Sequence, residues 1–222
     1  PVSELFDEIE AELRSDRLKA FWDRYGSAII IVLVAIVVLV AGTNIYGSYS
    51  TSQNIKASER YEALIEQVGD ANQETSIQLF SDFILAEDNG YGKISAFHKA
   101  RLLHQSGDTD SAVKAYDNLS DDGSLPSTLN ALAELSAASL LVGSIPASEL
   151  DERLQSLLRP DNAYRHSARE MAGLAYFLSE EYLTAREIYD MALSDNELPE
   201  SLRARIIIMR GLVVDELLNN KS

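Results

Sequence analysis

Residues 173–192 read GLAYFLSEEYLTAREIYDMA. The small residues Gly173, Ala185 and Ala192 alternate with the aromatics Tyr176, Tyr182 and Tyr189 at spacings that suit two short helices pressed together. If this hairpin is one unit of an array, the same spacing recurs elsewhere in the chain. It does: Gly173, Tyr176, Ala185, Tyr189 and Pro199 are matched in register by Ala100, Leu103, Ala112, Tyr116 and Pro126. In both copies twelve residues lead from the small residue to the alanine, four more to the tyrosine and ten more to the proline.

That register describes a helical hairpin. A small residue on the first helix lets the second come close, an alanine on the second helix does the same in return, and the tyrosine fills the wedge toward the next unit. Proline falls at the start of the following helix, where its missing N–H costs nothing. Gly107 with Asp108 marks the turn inside the first copy. The two copies are 73 residues apart, about two repeat lengths, so a diverged unit is expected between them. Leu129–Val142 followed by Glu149–Leu158 supplies it, punctuated by Pro146 and Pro160. Upstream, Ser58–Val68 and Thr75–Ala86 read as another helix pair, and Pro199–Leu218 as a closing helix. Every element is helical in pattern and none alternates like a strand. The expected fold is all-α, an α-solenoid of degenerate hairpins.

Composition agrees with a folded chain. The 222 residues carry a formal charge of −16 with 46% hydrophobic residues, which argues against a disordered acidic chain and allows one or two domains. Beyond residue 50 there are 28 acidic and 15 basic residues, a surface that repels phosphate backbones, so nucleic acid is not an expected partner. Cysteine is absent, which excludes disulfides and thiolate metal sites and leaves the redox compartment open.

One segment departs from this picture. Ala28–Ala41 is unbroken apolar sequence, and no charge occurs between Arg24 and Lys56. Taken as a helix, Gly26–Tyr46 would span roughly 30 Å, the thickness of a bilayer's hydrocarbon core. Trp22 and Tyr25 before it and Tyr46 after it suit the two headgroup levels. Ala28, Ala35 and Gly42 recur every seven residues and would form a small-residue stripe for a second helix, although small residues are common in membrane helices whatever their role. Val40-Ala41-Gly42 could instead be the cleavage site of a signal peptide, but the long, mixed-charge and helical residues before the span do not look like a short basic leader. Arg14, Arg17, Lys19 and Arg24 precede the span and only Lys56 and Arg60 follow at comparable distance, which places the N-terminus in the cytoplasm. The expected organisation is a cytoplasmic segment (1–24), a transmembrane helix (25–47) and a domain across the membrane (48–222).

Catalysis is not indicated. His98, His104 and His166 lack the spacing that puts two metal ligands on one helix face. Asp108-x-Asp110 lacks the later oxygen ligands of a calcium loop, and Gly90-Tyr91-Gly92 reads as turn chemistry and not as a phosphate cradle. No nucleophile elbow occurs. The chain is expected to be non-enzymatic and to need no cofactor or metal.

The spacing in both copies resembles the tetratricopeptide repeat, whose consensus has Trp and Leu before the glycine, then Tyr, Ala four residues ahead of Phe, and Pro. Here Arg169 stands in place of the Trp and Tyr189 in place of the Phe. The initial segment DEIEAELRSDRLKAFWDRYG with its apolar span, AFHKARLLHQSGDTDSAVKAY, and the stretch quoted at the outset together resemble the YfgM-type bacterial membrane proteins, ancillary subunits of the Sec translocon. The resemblance implies an inner-membrane protein with a periplasmic repeat domain, associated with the SecYEG channel and a PpiD-type membrane-anchored periplasmic chaperone, and assisting translocated proteins to fold. A self-assembling membrane scaffold, with homo-oligomerisation through the solenoid edge and the Ala28/Ala35/Gly42 stripe, is the alternative.

Binding residues are sought on the first helix of each hairpin, away from the packing face. A stripe at i, i+4 and i+7 holds Phe97, Arg101 and His104 in one copy and Glu170, Leu174 and Phe177 in the other. Stacking of hairpins would gather these stripes on the concave surface, where an extended partner segment could lie. Packing against neighbouring helices is the competing account of each residue.

Overall fold

In a computed structural model, residues 54–219 are described. The expected membrane helix and cytoplasmic segment, with Trp22, Tyr25, Ala28, Ala35, Gly42 and Tyr46, lie outside these residues. No helix among the described residues is long and apolar enough to cross a membrane.

The described chain is helical throughout: α1 (54–70), α2 (Gln73–Ala86), α3 (Gly90–Gln105), α4 (Thr109–Ser120), α5 (Ser127–Leu141), α6 (Ala147–Leu154), α7 (Arg165–Leu178), α8 (Tyr182–Ser194) and α9 (Glu200–Asn219). From α2 on, each helix packs on the next in sequence, and α7 also touches α5 and α9, the first helices of the units on either side. Tyr61 joins α1 to its neighbours by ring contacts with Phe83 and Tyr91. This neighbour-to-neighbour stacking of hairpins is that of an α-solenoid.

The matched positions do what their sizes demand. Ala100, Ala112 and Ala185 are fully buried, as is Tyr189. Gly173 lies against the Tyr189 ring so closely that an added Cβ would stand 2.5 Å from its Cε1, inside any permissible contact. The two copies differ at their tyrosines, because Tyr116 is only half-buried and leans on Phe97 at 6.1 Å between centroids.

The turns also repeat. Gly107 and Gly143 have φ of +90° and +74° between the helices of their hairpins, and Glu180 occupies the same place with φ +62°. A left-handed turn residue lets the chain reverse tightly, and only glycine adopts it without a Cβ penalty. Pro126, Pro146 and Pro199 each precede a helix, and their carbonyls accept its first backbone bonds: Asn130 N–H to Pro126 at 3.1 Å, Leu150 to Pro146 at 3.1 Å, and Arg203 to Pro199 at 2.9 Å.

Two expectations need correction. Gly90-Tyr91-Gly92 is the first turn of α3, and the Asn89 side chain caps it by accepting from Tyr91 and Gly92 N–H. The second helix of the middle unit ends at Leu154 and not at Leu158; residues 155–158 are a turn in which Leu157 N–H reaches Leu154 C=O at 2.9 Å. Pro160 disfavours helix in the residue before it, and the turn still delivers Leu157, fully buried, to the core with Leu150 and Leu154.

Gly173→Ala is expected to destabilise the fold by about 1–3 kcal/mol through overpacking against Tyr189, read as a lower urea midpoint at unchanged slope. Gly69→Ala, whose Cβ meets nothing, serves as the control and should be neutral or stabilising. Glu180→Gly should stabilise by about 0.5–1 kcal/mol by relieving the left-handed backbone.

Candidate interaction surface

Two apolar grooves open between successive first helices. The first, about 780 Å³, lies between α3 and α5; Ile94, Phe97 and His98 form one wall, Leu125, Leu129 and Leu132 the other, and Asp88 and Lys93 stand at one end. The second, about 550 Å³, lies between α5, α7 and α9 and is lined by Val142, Met171, Leu174, Ile208 and Met209, with Glu170 and Arg205 in its wall. Leu129, Leu132 and Ser139 share one face of α5, which Val142 extends just past its end, so that face runs from one groove to the other.

The walls are held by charge. Arg205 grips Glu170 with two parallel guanidinium bonds, Nε to Oε1 at 2.7 Å and Nη2 to Oε2, and thereby ties α9 to α7 across the second groove. At the first groove Lys93 donates to Asp122 at 2.6 Å, and this bond with those from Ser124 lowers the Asp122 carboxyl to about 2. Asp195 is the counterpart of Asp122 one copy later, and Arg169 donates to it at 2.8 Å. Asn130 and Arg203 are likewise equivalent: Asn130 Nδ2 donates to Leu119 and Asp122 C=O, and Arg203 donates to Leu193 and Asp195 C=O. Each closes the carbonyl end of the preceding helix, which would otherwise lack partners.

The expected binding residues are not gathered into one patch. Phe97 lines the first groove, and Glu170 and Leu174 line the second. Arg101 is exposed and lines neither; His104, also exposed, sits 3.3 Å from Thr109 Oγ1 at the hairpin turn. Phe177 meets Tyr182 with tilted rings, 5.7 Å between centroids, and packs into the core cluster of α8 and α9. The sequence stripe missed Leu129, Leu132, Val142, Ile208 and Met209. Their signal was present as apolar residues on first helices, but which groove they enter depends on the neighbouring unit.

The histidines have structural surroundings. His98 stacks on Phe80 at 5.4 Å with 12° between planes, and burial lowers its imidazole below the ordinary range. His166 is buried with neither ring nitrogen hydrogen-bonded. Burial and then Arg165 push its imidazole down against the pull of Asp195, whose Oδ2 is 3.8 Å from Nδ1. Among the described residues no group of His, Asp or Glu is arranged to hold a metal ion. What the grooves offer is apolar surface bordered by fixed charge, which suits the capture of apolar side chains.

The model of the tetratricopeptide repeat-like domain family matches residues 19–210, a span that takes in both grooves and also the apolar run at 28–41. A comparison with curated proteins and one with solved structures each returned no match.

The buried His166 gives a pH prediction. Its folded-state pKa lies below the ordinary 6.5, so as pH falls below 6.5 the unfolded chain takes up the proton first and stability is lost down to the folded-state pKa. Urea midpoints should drop between pH 7.5 and 5, and His166→Gln should flatten that drop, leaving the share that His98 contributes. Asp195, whose carboxyl is held low by the Glu197 N–H and Arg169, adds a further loss only as pH falls below 3.8.

Proposed function

The chain belongs to the tetratricopeptide repeat-like family, and we propose on that premise that it is a non-enzymatic, membrane-tethered adaptor that holds a partner protein in the grooves between its first helices. Domains of this kind are protein-interaction modules, in which stacked hairpins present an extended surface for a partner. The observation that carries the reading is the pair of apolar grooves joined along one face of α5, about 780 and 550 Å³, each large enough to seat apolar side chains of an inserted segment. Leu174 and Phe97 would supply apolar contact, the Glu170–Arg205 pair would present fixed charge, and Arg101 and His104 would meet the partner beyond the first groove.

The proposal extends to place and partner. Residues 25–47 would cross the bacterial inner membrane once, with 1–24 cytoplasmic and 48–222 periplasmic, on the support of the apolar run, the flanking aromatics and the bias of Lys and Arg. The resemblance to YfgM-type proteins supports an accessory role at the SecYEG translocon, in which the repeat domain recruits a PpiD-type chaperone to newly translocated chains. The alternative, a self-assembling scaffold in envelope or cell-wall organisation, draws support from the apolar residues that α9 leaves exposed.

Purification of the tagged full-length chain from native membranes in mild detergent tests this reading. Recovery of translocon subunits with a periplasmic chaperone is expected, with chaperone recovery lost in a Phe97→Ala/Leu174→Ala variant of unchanged helical content. Recovery of translocon-free complexes with cell-wall or division components would favour the scaffold, and an unchanged partner list in the variant would remove the grooves from the account.

A further inference from the structure

Helix α9 is apolar on two sides. One side, with Ile206 and Val213 fully buried and Leu202, Met209 and Leu217 partly so, packs against the preceding unit. On the opposite side Ala204, Ile207, Gly211 and Val214 follow one another at spacings of three, four and three, the heptad seam of a helix pair. Ile207 is 54% exposed, and a Cβ at Gly211 would meet nothing within 4 Å. An exposed glycine in mid-helix weakens the helix and meets no close neighbour among the described residues, but at the centre of an apolar seam it lets a second helix backbone approach closely.

We propose that the seam is occupied by α9 of a second copy of this chain, in parallel, making a two-fold dimer. Charge identifies this occupant. The chain has 35 acidic and 19 basic residues, yet α9 has three of each, so two copies of this helix meet without the net repulsion that the acidic excess would otherwise impose. In a parallel pair the residue just before one seam position faces the residue five further along on the partner helix, which sets Arg210 against Asp215 of the second copy, twice by symmetry. Arg210 meets Asp190 through Nε, which leaves its terminal amino groups for that contact. Asp215 is exposed and has no ion pair among the described residues. An antiparallel pair would instead set Ile207 against Gly211 and bring Arg210 beside Arg210 of the second copy, like charge against like.

The chain's lack of cysteine makes the test direct. Full-length chains with Ile207→Cys or Val214→Cys, oxidised in membranes, are expected to form disulfide-linked dimers, because seam residues meet their own counterparts in a parallel pair. Leu183→Cys, 58% exposed on α8, should not. Adding Gly211→Glu to the Ile207→Cys chain should abolish cross-linking with the circular dichroism spectrum unchanged. The proposal is overturned if neither seam cysteine links, if Leu183→Cys links as readily, if linking survives Gly211→Glu, or if Ile207→Cys links to Gly211→Cys chains and not to itself.

Discussion

The contact on which the array depends is the approach of Gly173 to the Tyr189 ring. With no Cβ at Gly173, the aromatic of α8 comes up close to the α7 backbone and is fully buried although its hydroxyl has no hydrogen-bond partner. Leaving a buried hydroxyl unpaired costs about 1–3 kcal/mol, a cost that the packed ring must exceed. Desolvation correspondingly pushes the Tyr189 phenol well above its ordinary range. The earlier copy takes a softer solution, since Ala100 and Ala112 bring the helices together while Tyr116 remains half-buried against Phe97. One register therefore supports two depths of packing, and the α7–α8 unit is the tighter.

Around this apolar contact runs a polar frame that repeats with the hairpins. Asp122 and Asp195 follow the second helix of their units and take a cation from the first helix, Lys93 in one case and Arg169 in the other. Asn130 and Arg203, four residues after their prolines, close the carbonyl ends of α4 and α8. Both ion pairs are partly buried. Their effect is geometric: each ion pair ties the end of a hairpin back to its own first helix, while Asn130 and Arg203 join that end to the start of the next unit.

The sequence revealed the hairpins because their packing is enforced by size, and size is conserved as letters: Gly or Ala, Ala, Tyr and Pro at fixed offsets. The frame was not legible for the opposite reason. Asn130 and Arg203 perform one task with different side chains, as do Lys93 and Arg169, so the repetition is of hydrogen-bond function and leaves no common letter. The end of α6 at Leu154 was missed because the leucine spacing continues to Leu158, and a turn buries Leu157 as well as a helix would. The stripe of Phe97, Arg101 and His104 with Glu170, Leu174 and Phe177 was half legible. A helix wheel shows which residues leave the hairpin core, but not that Phe177 meets Tyr182 or that Ile208 and Met209 complete the wall opposite Leu174.

Packing and the groove walls accordingly occupy different faces of the same helices. On α7, Ala172, Gly173 and Ala175 are spent on packing, while Glu170, Met171 and Leu174 border the second groove. On α5, Ala133, Ala137 and Ala138 are buried and the face bearing Leu129, Leu132 and Ser139 runs between the grooves. Because small residues do the packing, the first helices lie close enough for groove walls to be shared between units, and the Glu170–Arg205 bond spans such a wall. A partner segment laid along these helices would meet one continuous face of α5 and two gaps whose widths are set by the frame. Changing the register of stacking would alter both gaps at once, which couples the spacing of the repeats to the surface they expose.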